Sequence, residues 1–262
     1  MNSKLSRKLL DKPYIVWSVL FILAPLVMVL YYALTDSTGA FSLKYIQAIP
    51  DYTSTILLSI LYGVFATLIC LVIGYPFAYF ISKAKTGTQS TMLLLVMLPM
   101  WMNFLIRTYS LMTILGDSGI INSVLNFFGI ESLKLINTGG AVLLGMVYNF
   151  LPFMILPIYT TISKLDGALL EAARDLGAGE AQAFLKVTLP LSLPGILSGV
   201  SMVFLPAMTN YVVLDMLYNS TYIMGSLIGS YFAAYNWNGG SMIALILLGI
   251  ICLFTLLSGG AK

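Results

Sequence analysis

Six long runs of apolar residues are the feature that most constrains the fold of this 262-residue chain. An α-helix needs about 20 predominantly apolar residues, at about 1.5 Å of rise each, to cross about 30 Å of hydrocarbon. The runs therefore predict an all-α membrane protein with six transmembrane helices. The predicted spans cover residues 14–34, 55–82, 91–115, 139–163, 191–214 and 240–257.

Composition excludes several classes of protein. Hydrophobic residues make up 59% of the chain and charged residues 9%, which is too apolar and too poor in charge for a soluble domain. The net charge is only +3 and the basic residues form no patch suited to phosphates, so no nucleic acid is expected as a partner. Histidine is absent, which removes Ser-His and Cys-His catalysis and the usual ligands of zinc and haem. We expect no catalytic, cofactor-binding or metal-binding residue, and Cys70 and Cys252 are interpreted as buried small hydrophobic residues.

The basic residues predict the orientation of the spans. Ten of the 13 lysines and arginines lie in the N-terminal tail, in the loops after spans two and four, or at the C-terminus. Only Lys44 and Lys134 lie on the opposite side, and Arg107 lies inside span three. By the positive-inside rule, the tail at residues 1–13, the loop at residues 164–190 and the C-terminus are expected to be cytoplasmic.

Two further patterns concern the organisation of the bundle. Residues 221–236 are apolar but too short to cross comfortably, and a seventh span would place the C-terminus outside, so a re-entrant or interfacial helix is predicted. Prolines interrupt the spans, as at Pro25, Pro76 and Pro206, which fits a transporter bundle and equally any other kinked bundle. Because no internal repeat or long flexible linker is visible, residues 55–257 are expected to form one core domain.

The loop at residues 164–190, which we call the elbow, carries the longest charged, helix-favouring segment of the chain. Its first half predicts a short helix in which Glu171 and Arg174 can pair, and Gly177 ends that helix as a C-cap. A second short helix follows and is stopped by Pro190. The apolar stripe of the first helix consists of Leu169, Ala172, Ala173 and Leu176. The apolar side of the second consists of Ala181, Phe184, Leu185 and Val187.

The elbow resembles the EAA loop of ATP-binding-cassette importer permeases. In that family the pattern is Glu-Ala-Ala, three residues, Gly, nine residues, Ile, one residue and Leu-Pro, and here Val replaces Ile. The matching residues are Glu171, Ala172, Ala173, Gly177, Val187, Leu189 and Pro190. The resemblance implies the six-span type I importer permease fold in a bacterial cytoplasmic membrane, with a cytoplasmic coupling helix pair between spans four and five. It also implies that the elbow inserts into a groove on an ATPase subunit and passes its closing motion to the spans.

The same resemblance implies partners and a cargo. Two copies of the ATPase would bind ATP and Mg, a second homologous permease subunit would complete the path, and an extracytoplasmic binding protein would deliver the cargo. Residues 98–101 and 103–109, and residues 204–208 ahead of Asp215, resemble the spermidine/putrescine permeases, specifically their B-type subunit, and imply a polyamine. Two alternatives stay open: a permease of this family for thiamine, iron or an organophosphonate, and an ion-driven transporter or channel without an ATPase.

A path for a polyamine should offer carboxylates for its ammonium groups and aromatic faces for cation–π contact. The candidate path residues are Asp215, Asn210, Tyr211, Trp101, Asn103, Tyr109 and Asp117. The alternative for Asp215 is an interfacial residue solvated by head groups and water, and the alternative for Trp101 and Tyr109 is the aromatic belt or a core. Arg107 is expected to pair with a carboxylate or with carbonyls freed by the kinks, or alternatively to hold an anionic substrate.

Overall fold

A computed structural model of the chain describes residues 12–218 and 222–259, which fold into helices joined by turns. Short 3-10 turns lie at Ile49–Tyr52 and at Leu98–Trp101. The helices are α1 (Lys12–Ala33), α2 (Lys44–Gln47), α3 (Thr53–Lys83), α4 (Thr86–Met97), α5 (Phe104–Leu115), α6 (Ile120–Phe127), α7 (Gly139–Ile162), α8 (Gly167–Asp175), α9 (Glu180–Thr209), α10 (Tyr211–Leu217), α11 (Met224–Ala233) and α12 (Trp237–Gly259).

Five of the described helices are long and apolar enough to cross a membrane, namely α1, α3, α7, α9 and α12. A sixth candidate is a broken pair, Thr86–Trp101 and Phe104–Phe127, whose two halves are bent by 93°. When this pair is counted as one span, the helices agree with the predicted class, an all-α membrane protein with six spans.

The third and fifth predicted spans differ from the structure because each is interrupted. Met102 and Asn103 both have extended backbone, with ψ values of 147° and 132°, so the helical ladder stops between α4 and α5. Asn210, with ψ 94°, breaks the fifth span in the same way between α9 and α10. Hydropathy does not distinguish a broken span from a continuous one, since both halves remain apolar.

Pro190 does not stop a helix, and the prediction that it ends the second elbow helix is wrong. The helix α9 runs through it from Glu180 to Thr209, and a π-helical turn at Phe184–Thr188 ends two residues before it. A proline lacks the N–H for the carbonyl four residues back and its ring crowds that carbonyl, and a widened turn relieves both problems. The same arrangement occurs in α1, where a π-helical turn at Val19–Leu23 precedes Pro25.

The described chain divides into two compact units, and the first contains the residues up to Ser54 together with Leu227–Cys252. Within it, no residue in the apolar window of α1 is buried. Asn238 instead fastens the end of α1, because its Nδ2 donates hydrogen bonds to the carbonyls of Tyr32 at 3.0 Å and Thr35 at 2.8 Å. The carbonyl of Tyr32 belongs to the last turn, where a helix has no donors of its own, and Thr35 lies just past the end of the helix.

The second unit contains Thr55–Ser226 and the residues from Leu253 onward, and its core lies between α7 and α9. The two backbones approach closely because α9 presents glycines to α7. A Cβ atom on Gly195 would lie 2.8 Å from the carbonyl oxygen of Pro157, and one on Gly199 would lie 2.7 Å from the sulfur of Met154. Small residues of this kind allow close packing of membrane helices.

Two smaller predictions meet the structure differently. Cys70 is buried in α3 as expected, but Cys252 is exposed on α12, so the prediction of two buried cysteines is wrong for the second. A run that is apolar because it faces lipid does not need to be covered by protein, and hydropathy cannot separate the two cases. The predicted re-entrant or interfacial segment contains the ten-residue helix α11, and its depth in a membrane stays a prediction.

Candidate coupling and translocation sites

The first elbow helix, α8, has well-formed caps at both ends. Asp166 accepts a hydrogen bond from the N–H of Ala168 at 3.0 Å and so caps the N-terminus. At the other end Gly177 has φ +83°, its N–H donates to the carbonyl of Arg174 at 2.8 Å, and the next N–H donates to the carbonyl of Ala173 at 3.0 Å. This pair of bonds is a Schellman motif, which fixes the direction in which the chain leaves the helix.

The apolar residues of α8 lie on its surface rather than in a core. Leu176 is 90% exposed and Leu169 is 47% exposed. Glu171 and Ala172 are exposed as well, and Ala173 is half-buried. A helix that presents leucines to solvent is typical of a docking surface, and this is the arrangement that the resemblance implies for the elbow.

Arg174 forms an ion pair with a different residue from the one predicted. Its guanidinium lies 2.6 Å from the carboxylate of Glu180, across the turn at Gly177, and no ion pair joins it to Glu171 among the residues that the structure describes. The turn brings the start of α9 back alongside the end of α8, so Glu180 comes within reach. Both side chains are more than half exposed, and such a pair contributes about 0–1 kcal/mol.

The elbow has two arms, α8 and the first turns of α9. A cleft of about 340 Å³ lies between them. Its wall is mostly apolar, with Lys186 and Gln182 as its polar members. Val187 of the EAA-like pattern lines it, whereas Leu189 is half-buried and Pro190 is exposed one turn further on. The full lining consists of Ala173, Leu176, Gly177, Ala178, Gln182, Ala183, Lys186 and Val187.

Phe184 attaches the elbow to the second span, a role that the sequence did not reveal. It was predicted on the same apolar side as Leu185, but its ring makes edge-to-face contacts with Tyr75 at 5.8 Å and Tyr79 at 5.2 Å, while Leu185 is 58% exposed. Tyr75 in turn shares a hydrogen bond of 2.9 Å with Ser192 of α9. The spacing of the two tyrosines, i and i+4 at the end of α3, was the available signal.

A glutamine ties the same end of α3 to α7. Gln89 donates through Nε2 to the carbonyls of Ser82 at 3.1 Å and Ala84 at 2.8 Å, which lie at the C-terminal end of α3. Its Oε1 accepts a hydrogen bond from the hydroxyl of Tyr159 on α7 at 3.0 Å. The elbow, α3, α7 and α9 are therefore connected by specific side-chain contacts at one end of the bundle.

Two of the candidate path residues, Asn103 and Asn210, cap the helices that follow the two breaks. The Oδ1 atom of Asn103 accepts from the N–H groups of Leu105 at 2.9 Å and Ile106 at 3.4 Å. The Oδ1 atom of Asn210 accepts from the N–H of Val213 at 3.1 Å. The N–H groups in the first turn of a helix have no backbone acceptor within the helix, and each asparagine side chain supplies one. The capping asparagine at each break therefore favours the start of a new helix there.

Arg107 is buried beside the first of these breaks. Its Nη1 donates to the carbonyl of Pro99 at 2.8 Å, and its Cζ lies 5.5 Å from the ring centre of Phe104 and 5.8 Å from that of Tyr148. This is the pairing with a kink carbonyl that the sequence predicts. A hydrogen bond from a charged donor contributes about 1.5–3 kcal/mol and each cation–π contact about 0.5–2 kcal/mol, which offsets the cost of burying the cation.

The remaining residues of the predicted path on α10 share one face of that helix. Tyr211 and Asp215 are exposed and stand four residues apart. No ion pair or side-chain hydrogen bond reaches the Asp215 carboxylate from any described residue. Partial burial by the helix nevertheless raises the pKa of Asp215. The opposite face, formed by Val213, Leu214 and Leu217, is fully buried.

The other candidates lie on or near α5, which packs against α10. Trp101 is 76% exposed in the turn before the break, Tyr109 is 57% exposed on α5, and Asp117 is exposed just after α5. The two helices meet over Gly145 of α7, where a Cβ atom would lie 2.8 Å or less from side chains of α10. Among the described residues, no group of three or more acidic or cysteine side chains is arranged to hold a metal ion.

Comparison with known proteins identifies the class. The family described as the inner membrane component of binding-protein-dependent transport systems matches residues 3–259, and the chain belongs to this family. It is therefore a multi-pass inner-membrane subunit of a transport system and not an enzyme, as the sequence predicts. In solved structures, chains of a bacterial alginate importer superpose with a TM-score of 0.84 at 15% identity, covering 98% of this chain and 96% of that one. A second alginate transporter structure, in complex with a pentasaccharide-bound periplasmic protein, gives a TM-score of 0.81 at 16% identity.

Curated relatives are closer in sequence. The spermidine/putrescine transport system permease protein PotB of Haemophilus influenzae is 41% identical over 87% of this chain and 84% of its own length. The protein of the same name from Escherichia coli K12 is 38% identical over 77% of each chain. A PotB homolog of Mycoplasma pneumoniae is 32% identical over 90% of this chain and 82% of its own length. These relatives confirm the resemblance to the spermidine/putrescine permeases.

Proposed function

We propose that this chain is the permease subunit of an ATP-driven importer of polyamines, spermidine or putrescine. The observation that carries the proposal is its relatedness to spermidine/putrescine permeases over most of both chains. The exposed carboxylate of Asp215 and the exposed ring of Trp101 support it, because an ammonium chain needs accessible negative charge and aromatic faces.

In the proposed complex, both termini and the elbow are cytoplasmic. Two copies of an ATPase bind ATP and Mg, a second homologous permease completes the path, and an extracytoplasmic polyamine-binding protein delivers the cargo. The exposed Leu176 and the adjoining cleft dock on the ATPase, and the motif Glu171-Ala172-Ala173 lies on the docking helix. Closure of the ATPases moves the elbow, and Phe184 carries that displacement to α3 through Tyr75 and Tyr79.

The proposed path lies along α5 and α10. Asp215 offers an exposed carboxylate four residues from Tyr211 on one face of α10, and Trp101, Asn103 and Tyr109 lie at the break or on the helix that follows it. Several weak contacts of this kind suit a cargo that must leave as readily as it binds. Asp117, in the exposed turn after α5, adds a second carboxylate near the predicted outer end.

Reconstitution tests the proposal directly. The chain is co-expressed with a candidate ATPase, partner permease and polyamine-binding protein of the same organism, placed in proteoliposomes and given labelled spermidine or putrescine. ATP-dependent accumulation is expected, and a non-hydrolysable ATP analogue is the matched control. Accumulation of thiamine, iron or an organophosphonate but of neither polyamine would overturn the cargo. Purification without any associated ATPase would overturn the importer class.

A further inference from the structure

We propose that Arg107 is the positioning residue that holds the third span in its bent form. Transport depends on it because the bend presents Trp101 and Asn103 to the path, and this second step rests on the proposed function. Of the residues that the structure describes, Arg107 is the one whose side chain bridges both sides of the break with a charged group.

Arg107 makes hydrogen bonds on both sides of the break, and we call this set of contacts the bracket. The backbone N–H of Arg107 donates to the carbonyl of Asn103 at 3.1 Å, which starts α5. Its side chain reaches back eight residues and donates to the carbonyl of Pro99 at 2.8 Å, before the break. The same carbonyl also accepts the N–H of Met102 at 3.2 Å, so both of its lone pairs are used. The chain changes direction at Met102 and Asn103. These residues therefore lie between the two carbonyls to which Arg107 donates, one through its side chain and one through its backbone N–H.

The position requires an arginine rather than a generic cation. A guanidinium is planar, so it can donate in its plane to Pro99 while aromatic rings approach it, here Phe104 from α5 and Tyr148 from α7. An ammonium group is a compact, strongly hydrated point charge and does not combine these contacts. Arg107 is 6% exposed, and its Nε–H is buried with no hydrogen-bond partner among the described residues.

The bend exposes an aromatic and a polar side chain, Trp101 and Asn103, within a predicted transmembrane span. In a continuous helix, residues 101–103 would contribute to a cylinder whose backbone groups are all paired internally. With the bend, Trp101 is 76% exposed and Asn103 is exposed at the start of α5. Without the bracket, α4 and α5 are expected to straighten toward one continuous helix, which would reduce the exposure of Trp101 and Asn103.

A distance measurement tests the bracket without reference to cargo. In the assembled complex, with Cys252→Ser to remove the exposed thiol, spin labels are placed at Thr91→Cys in α4 and Thr113→Cys in α5, both of which are exposed positions. At about 1.5 Å per residue the two backbone positions lie about 23 Å apart if α4 and α5 meet at a right angle and about 33 Å apart if they form one straight helix. Wild type is expected to give a narrow distribution near the short value. Arg107→Ala is expected to broaden it toward the long one, with Arg107→Lys following because it lacks the planar group.

Ser110→Ala, on the exposed face of α5, is the matched control and is expected to leave the distribution unchanged. A short, narrow distribution in both Arg107 variants would overturn the proposal. If Arg107→Ala does not assemble, Arg107→Lys alone decides, since it keeps the charge and nearly all of the volume.

Uptake kinetics test the consequence for transport. For Arg107→Lys, the apparent KM for the polyamine is expected to rise at least tenfold while the complex retains its ATPase activity. A fall in the maximal rate that merely follows the amount of assembled complex, with KM unchanged, would reduce Arg107 to a stabilising residue. If the wild-type complex transports no polyamine, the proposed cargo fails, and the distance measurement still decides the bracket.

Discussion

At the scale of single residues, the elbow turns at one glycine whose role is set by its backbone rather than by crowding. Gly177 has φ +83°, a conformation that costs other residues about 1–2 kcal/mol, yet a Cβ atom there would meet no atom of the described residues within 4 Å. A side chain at this position would fit, but the backbone that forms the Schellman bonds would be strained. The direction of the second arm therefore depends on this residue.

Gly177→Asp is expected to lower ATP-dependent uptake at least tenfold while the complex still assembles, because the arms of the elbow no longer meet the ATPase together. The measurement is uptake per assembled complex in proteoliposomes. Gly179→Asp is the matched control, since it places the same charge two residues away at φ −69°, also with nothing within 4 Å. Equal losses in the two variants would mean that charge, and not backbone conformation, is responsible, and wild-type uptake in Gly177→Asp would refute the coupling role.

Asp215 gives the proposed path a dependence on pH. Because partial burial raises its pKa, the carboxylate is neutralised at a higher pH than an ordinary aspartate, and its attraction for ammonium groups is lost as the external pH falls through that raised value. Wild-type uptake is expected to decline as the external pH is lowered through that range. Asp215→Asn is expected to be slower at neutral pH and flatter across the same range, and Glu131→Gln, an exposed carboxylate elsewhere, should keep the wild-type profile. A wild-type profile in Asp215→Asn would leave Asp215 as an interfacial residue.

At the scale of helices, the contact between the elbow and the second span determines whether motion of one reaches the other. Phe184 lies against two tyrosine rings of α3, and aromatic pairs contribute about 0.5–1.5 kcal/mol each beyond the area that they bury. Phe184→Ala removes both contacts. It is expected to lower polyamine uptake at least tenfold while ATP hydrolysis continues, so that the ratio of polyamine transported to ATP consumed falls.

Leu185→Ala is the matched control for this uncoupling. It deletes a large apolar side chain one residue away on the same helix, but that side chain is 58% exposed and does not take part in the ring contacts with α3. A similar drop in the transport ratio for both variants would show that the ATPase interface, rather than the contact with α3, is what Phe184 supports.

The helices also show which features the sequence could predict. The number of spans could be predicted from the lengths of the apolar runs. The turn at Gly177 could be predicted from a glycine that follows an apolar helical stripe. Both features depend on local sequence. The break at Asn103 depends on a cap and on the Arg107 bracket, and the contacts of Phe184 depend on which elements pack together. No periodicity within residues 91–115 separates a bent span from a straight one.

At the scale of the whole molecule, the proposal requires the elbow and α6 to lie on opposite sides of the membrane. Leu176 of the elbow and Phe127 at the end of α6 are 90% and 86% exposed, so neither side chain is covered by the described part of the chain. The two positions are separated along the chain by one candidate span, α7, and the distribution of basic residues predicts that the first is cytoplasmic. Both can therefore be tested in one background, with Cys252→Ser and the buried Cys70 retained.

With a membrane-impermeant thiol reagent, Leu176→Cys is expected to react only in inverted vesicles and Phe127→Cys only in right-side-out cells. The reason is that an odd number of spans separates the two sites, while the reagent cannot cross the hydrocarbon. In inverted vesicles that contain the two permease subunits without the ATPase, addition of the ATPase subunit should protect Leu176→Cys and a bifunctional reagent should trap the ATPase on it, but neither should happen at Phe127→Cys. Labelling of both sites from one side would refute the topology, and unprotected, uncrosslinked Leu176→Cys would refute docking at the elbow.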